Sequence, residues 1–230
     1  MPKILASIKN LKEVKLIINT DIDIIDLKDP SNGALGKLND NDIKIITEYV
    51  NKKKLTSSTI GDLPNDVELI SKNVKKISAT QVDFIKIGVY DPKYINTLCS
   101  LNSLKKLIAV FFADKFLPDE NDLKKIKDSG FYGVMIDTSN KNAGNVFDHT
   151  SINNLNIFIK KSEKLKLLTG IAGSVNETHI DKLIRLNPNY VGFRGALCEN
   201  KNIRASNISK KNVINIINLV NHSKNLSISA

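Results

Sequence analysis

Two rhythms of apolar residues alternate along the chain. Short runs rich in Ile, Val and Leu predict strands near 4–8, 24–28, 55–60, 84–88, 107–112, 132–137, 167–171 and 190–193. Between them, apolar residues recur at helical spacing with Lys, Glu and Asn on the other face. Leu11, Val14, Ile17 and Ile18 form one such stripe, and Ile43, Ile46 and Val50 form another after Asn39 and Asp40. Further helices are predicted over 67–77, 94–104, 119–129, 152–164, 177–186 and 209–220. Entry signals agree: Asp119 and Glu120 follow Pro118, and Ser174, Asn176 and Glu177 precede an apolar stripe.

Strand and helix alternate eight times, and no Pro/Gly/Ser-rich linker interrupts them. Eight βα units favour a closed parallel barrel over an open doubly wound sheet, so residues 1–230 are expected to form a single-domain (β/α)8 TIM barrel. The longest irregular stretches, 29–38 and 138–150, each follow a strand, on the end where such barrels carry their chemistry.

Composition changes this picture little. At 41% hydrophobic residues the chain can bury a large aliphatic core, and no run approaches the roughly twenty apolar residues that span a bilayer. The segment 1–7 reads as a first strand, not as the apolar core of a signal peptide. Cys99 and Cys198 have neither zinc spacing nor the pattern of a disulfide framework, so a cytoplasmic protein is expected. The formal charge of +10 raises the question of nucleic acid. Its lysine pairs, such as Lys75-Lys76, Lys124-Lys125 and Lys160-Lys161, are scattered over many helices without interleaved aromatics. No nucleic-acid or membrane partner is expected; the field would draw small anionic substrates instead.

Two lysines in apolar runs carry most of the chemical information: Lys28 after Ile24-Ile25-Asp26-Leu27, and Lys86 within Phe84-Ile85-Lys86-Ile87-Gly88. A desolvated ammonium loses its proton more readily, which yields the neutral amine that forms an imine with a carbonyl. Singly, each reads more readily as a lysine snorkelling from a strand end; two at matching positions, one with Asp26 two residues before it, reverse that preference. Residues i and i+2 share a strand face, so Asp26 and Lys28 point the same way, as do Phe84, Lys86 and Gly88. Asp137 closes the sixth strand; if these faces are the inner ones, two amines and two carboxylates converge at the barrel mouth. Ser7, Asp62, Asp114 and Lys141 are second-rank candidates on the same ends.

Glycine-bearing segments follow strands seven and eight: Thr169-Gly170-Ile171-Ala172-Gly173-Ser174 and Val191-Gly192-Phe193-Arg194-Gly195-Ala196. Loops at these positions commonly hold phosphate in this fold. Gly170, Gly173, Ser174, Arg194 and Gly195 are therefore the candidate phosphate ligands. Arginine occurs only at 185, 194 and 204, so Arg194 beside glycines suggests a need for planar bidentate geometry. His149, His179 and His222 have no metal-ligand spacing, and no metal is expected.

These segments together resemble the (5-formylfuran-3-yl)methyl phosphate synthase family. The resemblance rests on Asp26-Leu27-Lys28-Asp29-Pro30-Ser31-Asn32-Gly33-Ala34-Leu35-Gly36, Phe84 to Gly88, Asp137-Thr138, Ala172-Gly173-Ser174, and Val191 to Cys198, and it covers nearly the whole chain. It implies an aldolase-like carbon–oxygen lyase acting on phosphates. Two molecules of glyceraldehyde 3-phosphate would condense to the phosphorylated furan aldehyde, an early methanofuran precursor, with loss of phosphate and water. By position, Lys28 would be the Schiff-base lysine and Lys86 the proton acceptor, with Asp26, Asp137 and Lys141 assisting proton transfer. The residues alone leave the two lysines exchangeable. No cofactor is implied, and a homo-oligomer is expected. The Asn-rich stretch after strand six and the lysine-rich tail depart from the family pattern. A generic class I aldolase acting on sugar phosphates fits the lysines and the phosphate loops as well.

Overall fold

Strands that are short, apolar and buried on both faces suit a parallel sheet wrapped by helices. The computed structural model, which describes residues 1–101, 103 and 105–228, closes eight of them into a parallel barrel in chain order. They are β1 (Lys3–Ile8), β2 (Ile24–Leu27), β3 (Leu55–Thr59), β4 (Phe84–Val89), β5 (Lys106–Phe112), β6 (Gly133–Asp137), β7 (Leu168–Ile171) and β8 (Tyr190–Phe193). Helices α1 (Leu11–Ile17), α2 (Asp40–Val50), α3 (Val67–Ser78), α4 (Lys93–Leu98), α5 (Glu120–Asp128), α6 (Val146–His149), α7 (Ile152–Lys164), α8 (Ile180–Leu186) and α9 (Lys210–Ile228) surround it. The architecture is a single (β/α)8 TIM barrel, as the eightfold rhythm requires. Among the described residues no helix is long and apolar enough to cross a membrane.

Side-chain oxygens set most helix starts. Asn39 accepts the N–H of Asp42 ahead of α2, and Asp119 and Asp122 form a reciprocal cap on α5. Three local expectations shift. The helix expected over 94–104 runs only Lys93–Leu98, and its expected end at 102 and 104 lies outside the described residues. The one expected from 177 opens as a 3-10 turn, Glu177–His179, before α8, because the Asn176 side chain accepts the N–H of Thr178. The loop after β6 contains α6, capped by Asn145 and Asp148; a single turn is too short to show apolar periodicity.

The core has two parts. A larger shell lies between strands and helices, and a smaller plug inside the barrel includes Leu5, Ile24, Phe84, Ile108, Met135 and Tyr190. Fully burying each such aliphatic or aromatic side chain contributes about 1.5–3 kcal/mol, enough collectively to tolerate a polar layer above the plug. That layer begins one inward position up each strand, where Ser7 pairs in register with Asp26 and Asp26 with Ser57. Above it lie the loops that follow the strands.

Candidate active site

The inward faces of β2 and β4 deliver the first charge pair. Lys86 Nζ lies 2.6 Å from Asp26 Oδ1, and the two side chains are buried. Asp26 also accepts from Ser57 Oγ at 2.6 Å and from Ser7 Oγ at 2.9 Å. Each carboxylate oxygen is thereby engaged, which offsets the desolvation of the pair.

The second pair is looser. Lys28, one residue past β2 and 7% exposed, lies 3.6 Å from Asp137 Oδ2, too far for a good hydrogen bond. Asp137 instead contacts Lys141 closely through Oδ1, which also accepts the Thr138 N–H at 2.8 Å. Burial is the main force lowering the Lys28 pKa from 10.5 to about 7; Asp137 opposes it, and Lys141 and Lys86 add like-charge repulsion. Burial alone would raise the Asp137 carboxyl, but Lys141 and Lys28 outweigh it and hold it well below the usual carboxylate range. Burial likewise lowers Lys141, with Asp137 opposing. A cleft of about 370 Å³ opens over both pairs, lined by Ser7, Asp26, Lys28, Lys86, Asp137 and Lys141.

Two second-rank candidates turn out to be scaffolding. Asp62 does not line the cleft; it accepts the N–H groups of Ala34 and Leu35 at 2.6 and 2.8 Å and the Tyr90 hydroxyl, pinning the loop after β2. Burial and that bond raise the Tyr90 pKa far above its ordinary value. Asp114 accepts Ser139 N–H, Ser139 Oγ and Asn140 N–H, and so braces the loop that carries Lys141.

The phosphate candidates divide. Gly173, Ser174 and Gly195 line the cleft. Gly173 and Ser174 have φ of 103° and 51°, and neither residue nor Val175 makes a hydrogen bond through its N–H among the described residues. Gly170 is a correction. It faces the plug rather than the cleft, where a Cβ would come within 2.2 Å of the Tyr190 ring, so glycine is needed there for packing. Arg194 is a second correction. It borders the cleft, but its guanidinium donates to both carboxylate oxygens of Glu13 at 2.6 and 3.1 Å and to the carbonyls of Ser7, Arg204 and Ser206. All five of its N–H donors are engaged within the protein, which leaves none for a phosphate.

Sequence reasoning missed two residues here. Glu13 reads as an exposed helix charge, yet it is buried on α1. Arg204, on the loop between β8 and α9, lines the cleft. Its rarity in a lysine-rich chain was the available signal. Among the described residues no group of His, Cys, Asp and Glu could hold a metal ion.

The sequence pattern of the 4-HFC-P synthase family matches residues 4–217. A (5-formylfuran-3-yl)methyl phosphate synthase of Methanocaldococcus jannaschii is 30% identical over 211 residues, covering 85% of this chain and 90% of that one. One from Methanococcus aeolicus is 29% identical over 231 residues, covering 94% and 98%. Among solved structures, phosphoribosyl anthranilate isomerase from Thermotoga maritima superposes with a TM-score of 0.69 at 11% identity, covering 96% of this chain and all of that one. The 3-hexulose-6-phosphate synthase from Salmonella typhimurium gives 0.66 at 14%, covering 96% and 99%. At such identities these two establish the barrel and nothing finer.

Proposed function

The chain belongs to the 4-HFC-P synthase family, and from that premise we propose that it condenses two molecules of glyceraldehyde 3-phosphate into (5-formylfuran-3-yl)methyl phosphate, releasing one phosphate and two waters. One observation carries the mechanism: Lys28 is a buried amine that stands 3.6 Å from Asp137 Oδ2 without a hydrogen bond to it, and burial lowers its pKa to about 7. A large fraction is therefore neutral and nucleophilic near neutral pH.

Lys28 Nζ adds to the substrate aldehyde carbon, giving a carbinolamine. Lys141, in contact with Asp137, donates the proton with which water leaves, and the imine forms. Lys86 passes its proton to Asp26 across their 2.6 Å contact and takes the α proton from the imine. The resulting enamine has phosphate on its β carbon, so its electron pair expels that phosphate. Bonding to the second triose, ring closure with loss of two waters, and hydrolysis of the imine, which consumes the water released when it formed, complete the sequence and restore Lys28.

The test uses glyceraldehyde 3-phosphate as sole substrate. Formation of an ultraviolet-absorbing furan aldehyde with release of one phosphate per furan is the expected result. Borohydride added during turnover should fix a covalent adduct that peptide mapping finds on Lys28. An adduct on Lys28 with a non-absorbing product that retains both phosphates would identify a class I aldolase instead. Full activity in Lys28→Ala, with the adduct elsewhere, would sink the imine assignment.

A further inference from the structure

Removing Arg194 from the phosphate ligands leaves the N–H groups of Gly173, Ser174 and Val175 at the cleft without an assigned charged partner for the anion. Lys86 faces Asp26, while Lys28 and Lys141 share Asp137. Arg204 supplies a further cation, and among the described residues its guanidinium donates no hydrogen bond and forms no ion pair. The group is nonetheless half-buried and lines the cleft close enough to Asp137 and Lys141 to feel their charges. A desolvated guanidinium without a carboxylate partner is unfavourable, and such groups persist where a ligand completes them.

Bonds from neighbouring elements hold the backbone that carries this side chain in place. Arg194 Nε donates to the Arg204 carbonyl at 2.8 Å, and Nη2 to the Ser206 carbonyl at 2.7 Å. Glu13 accepts from both Arg194 and the Ile208 N–H, tying 204–208 to α1. Lys9 Nζ donates to the Ala205 carbonyl from the end of β1. One arginine thus fixes the backbone of the other, and the second presents its fork to the cleft.

We infer that Arg204 is the charged ligand of the substrate phosphate, held in position by the Arg194–Glu13 clamp. The chemical class is a phosphate monoester dianion, whose oxygens match two parallel guanidinium N–H groups. The inference rests on the reading of the cleft as a phosphotriose site, but it does not depend on imine formation at Lys28.

Calorimetric titration with inorganic phosphate at constant ionic strength tests it without turnover. Arg204→Gln should weaken phosphate binding about 10- to 100-fold, with Arg204→Lys intermediate. The unliganded melting temperature should hold or rise, because the side chain makes no hydrogen bond inside the protein and its charge is partly desolvated there. Borohydride trapping on Lys28 should need correspondingly more glyceraldehyde 3-phosphate in Arg204→Gln, whereas trapping of unphosphorylated glyceraldehyde should match wild type. Glu13→Gln should weaken phosphate binding and also lower the melting temperature, since it loosens the clamp. Unchanged phosphate affinity in both Arg204 variants overturns the inference even if Lys28 is trapped. Weakened phosphate binding without any Lys28 adduct supports the anion site and refutes the imine mechanism alone.

Discussion

The two buried lysine–aspartate pairs began as equals in the sequence and differ in the folded barrel. Lys86 and Asp26 meet at 2.6 Å, with two serine hydroxyls on the carboxylate. Lys28 stands 3.6 Å from an Asp137 already occupied by Lys141 and the Thr138 N–H. Burial is shared; partnership is not. In the proposed mechanism the fully partnered Lys86 relays protons and the under-partnered Lys28 is the nucleophile, roles that their strand positions alone leave exchangeable.

Replacing each lysine should break that contrast most sharply. Lys28→Ala should lower furan formation by about 10⁴- to 10⁶-fold and abolish borohydride trapping, since it removes the nucleophile. Lys86→Ala should cost about 10²- to 10⁴-fold, the range of a general acid–base, while Lys28 remains trappable. If both variants lost trapping equally, the division of labour would fail.

Stability should separate them next. Below pH 7 Lys28 is charged both folded and unfolded, and the native state carries the whole burden of its burial. Between about pH 7 and 10.5 the folded amine is neutral while the unfolded one stays charged. The unfolded chain then binds more protons, so stability rises with pH across this window. Lys28→Met should therefore stabilise the protein by about 2–4 kcal/mol at pH 6, an advantage that fades toward pH 10.5. Asp137 is not orphaned by this change, because Lys141 remains with it. Urea unfolding at both pH values measures the difference; a gain independent of pH would contradict the depressed pKa.

A smaller effect sharpens the electrostatics. The rate of imine trapping should rise about tenfold per pH unit up to about pH 7 and then level off, since only the neutral amine attacks. Lys141→Met removes a repelling cation and should move that midpoint up. Asp137→Asn removes the attracting carboxylate and should move it down. Shifts of the same sign in both variants would refute the charge pattern around Lys28.

Much of the barrel was legible because local rules write it. The strand runs needed only apolar β-branched residues, and the shared face of Asp26 and Lys28 needed only the two-residue pleat. Misreadings came where the deciding neighbour is distant in sequence. Gly170 reads as a loop glycine until the Tyr190 ring is seen against it. Arg194 sits in a phosphate-like motif, yet its partner Glu13 lies 181 residues earlier on α1. α6 was invisible because one capped turn carries no period.

Taken by itself, the sequence determined the eightfold alternation, the single domain and the shared strand faces of Asp26 with Lys28 and of Phe84 with Lys86 and Gly88. Hydrophobic periodicity acts over a few residues and needs no knowledge of the partner. Only the closed barrel decided which charges pair, which arginine is buried as a clamp and which is left facing the cleft. Desolvation and Coulomb energies depend on distances across the closed barrel, and those exist only once the chain has folded.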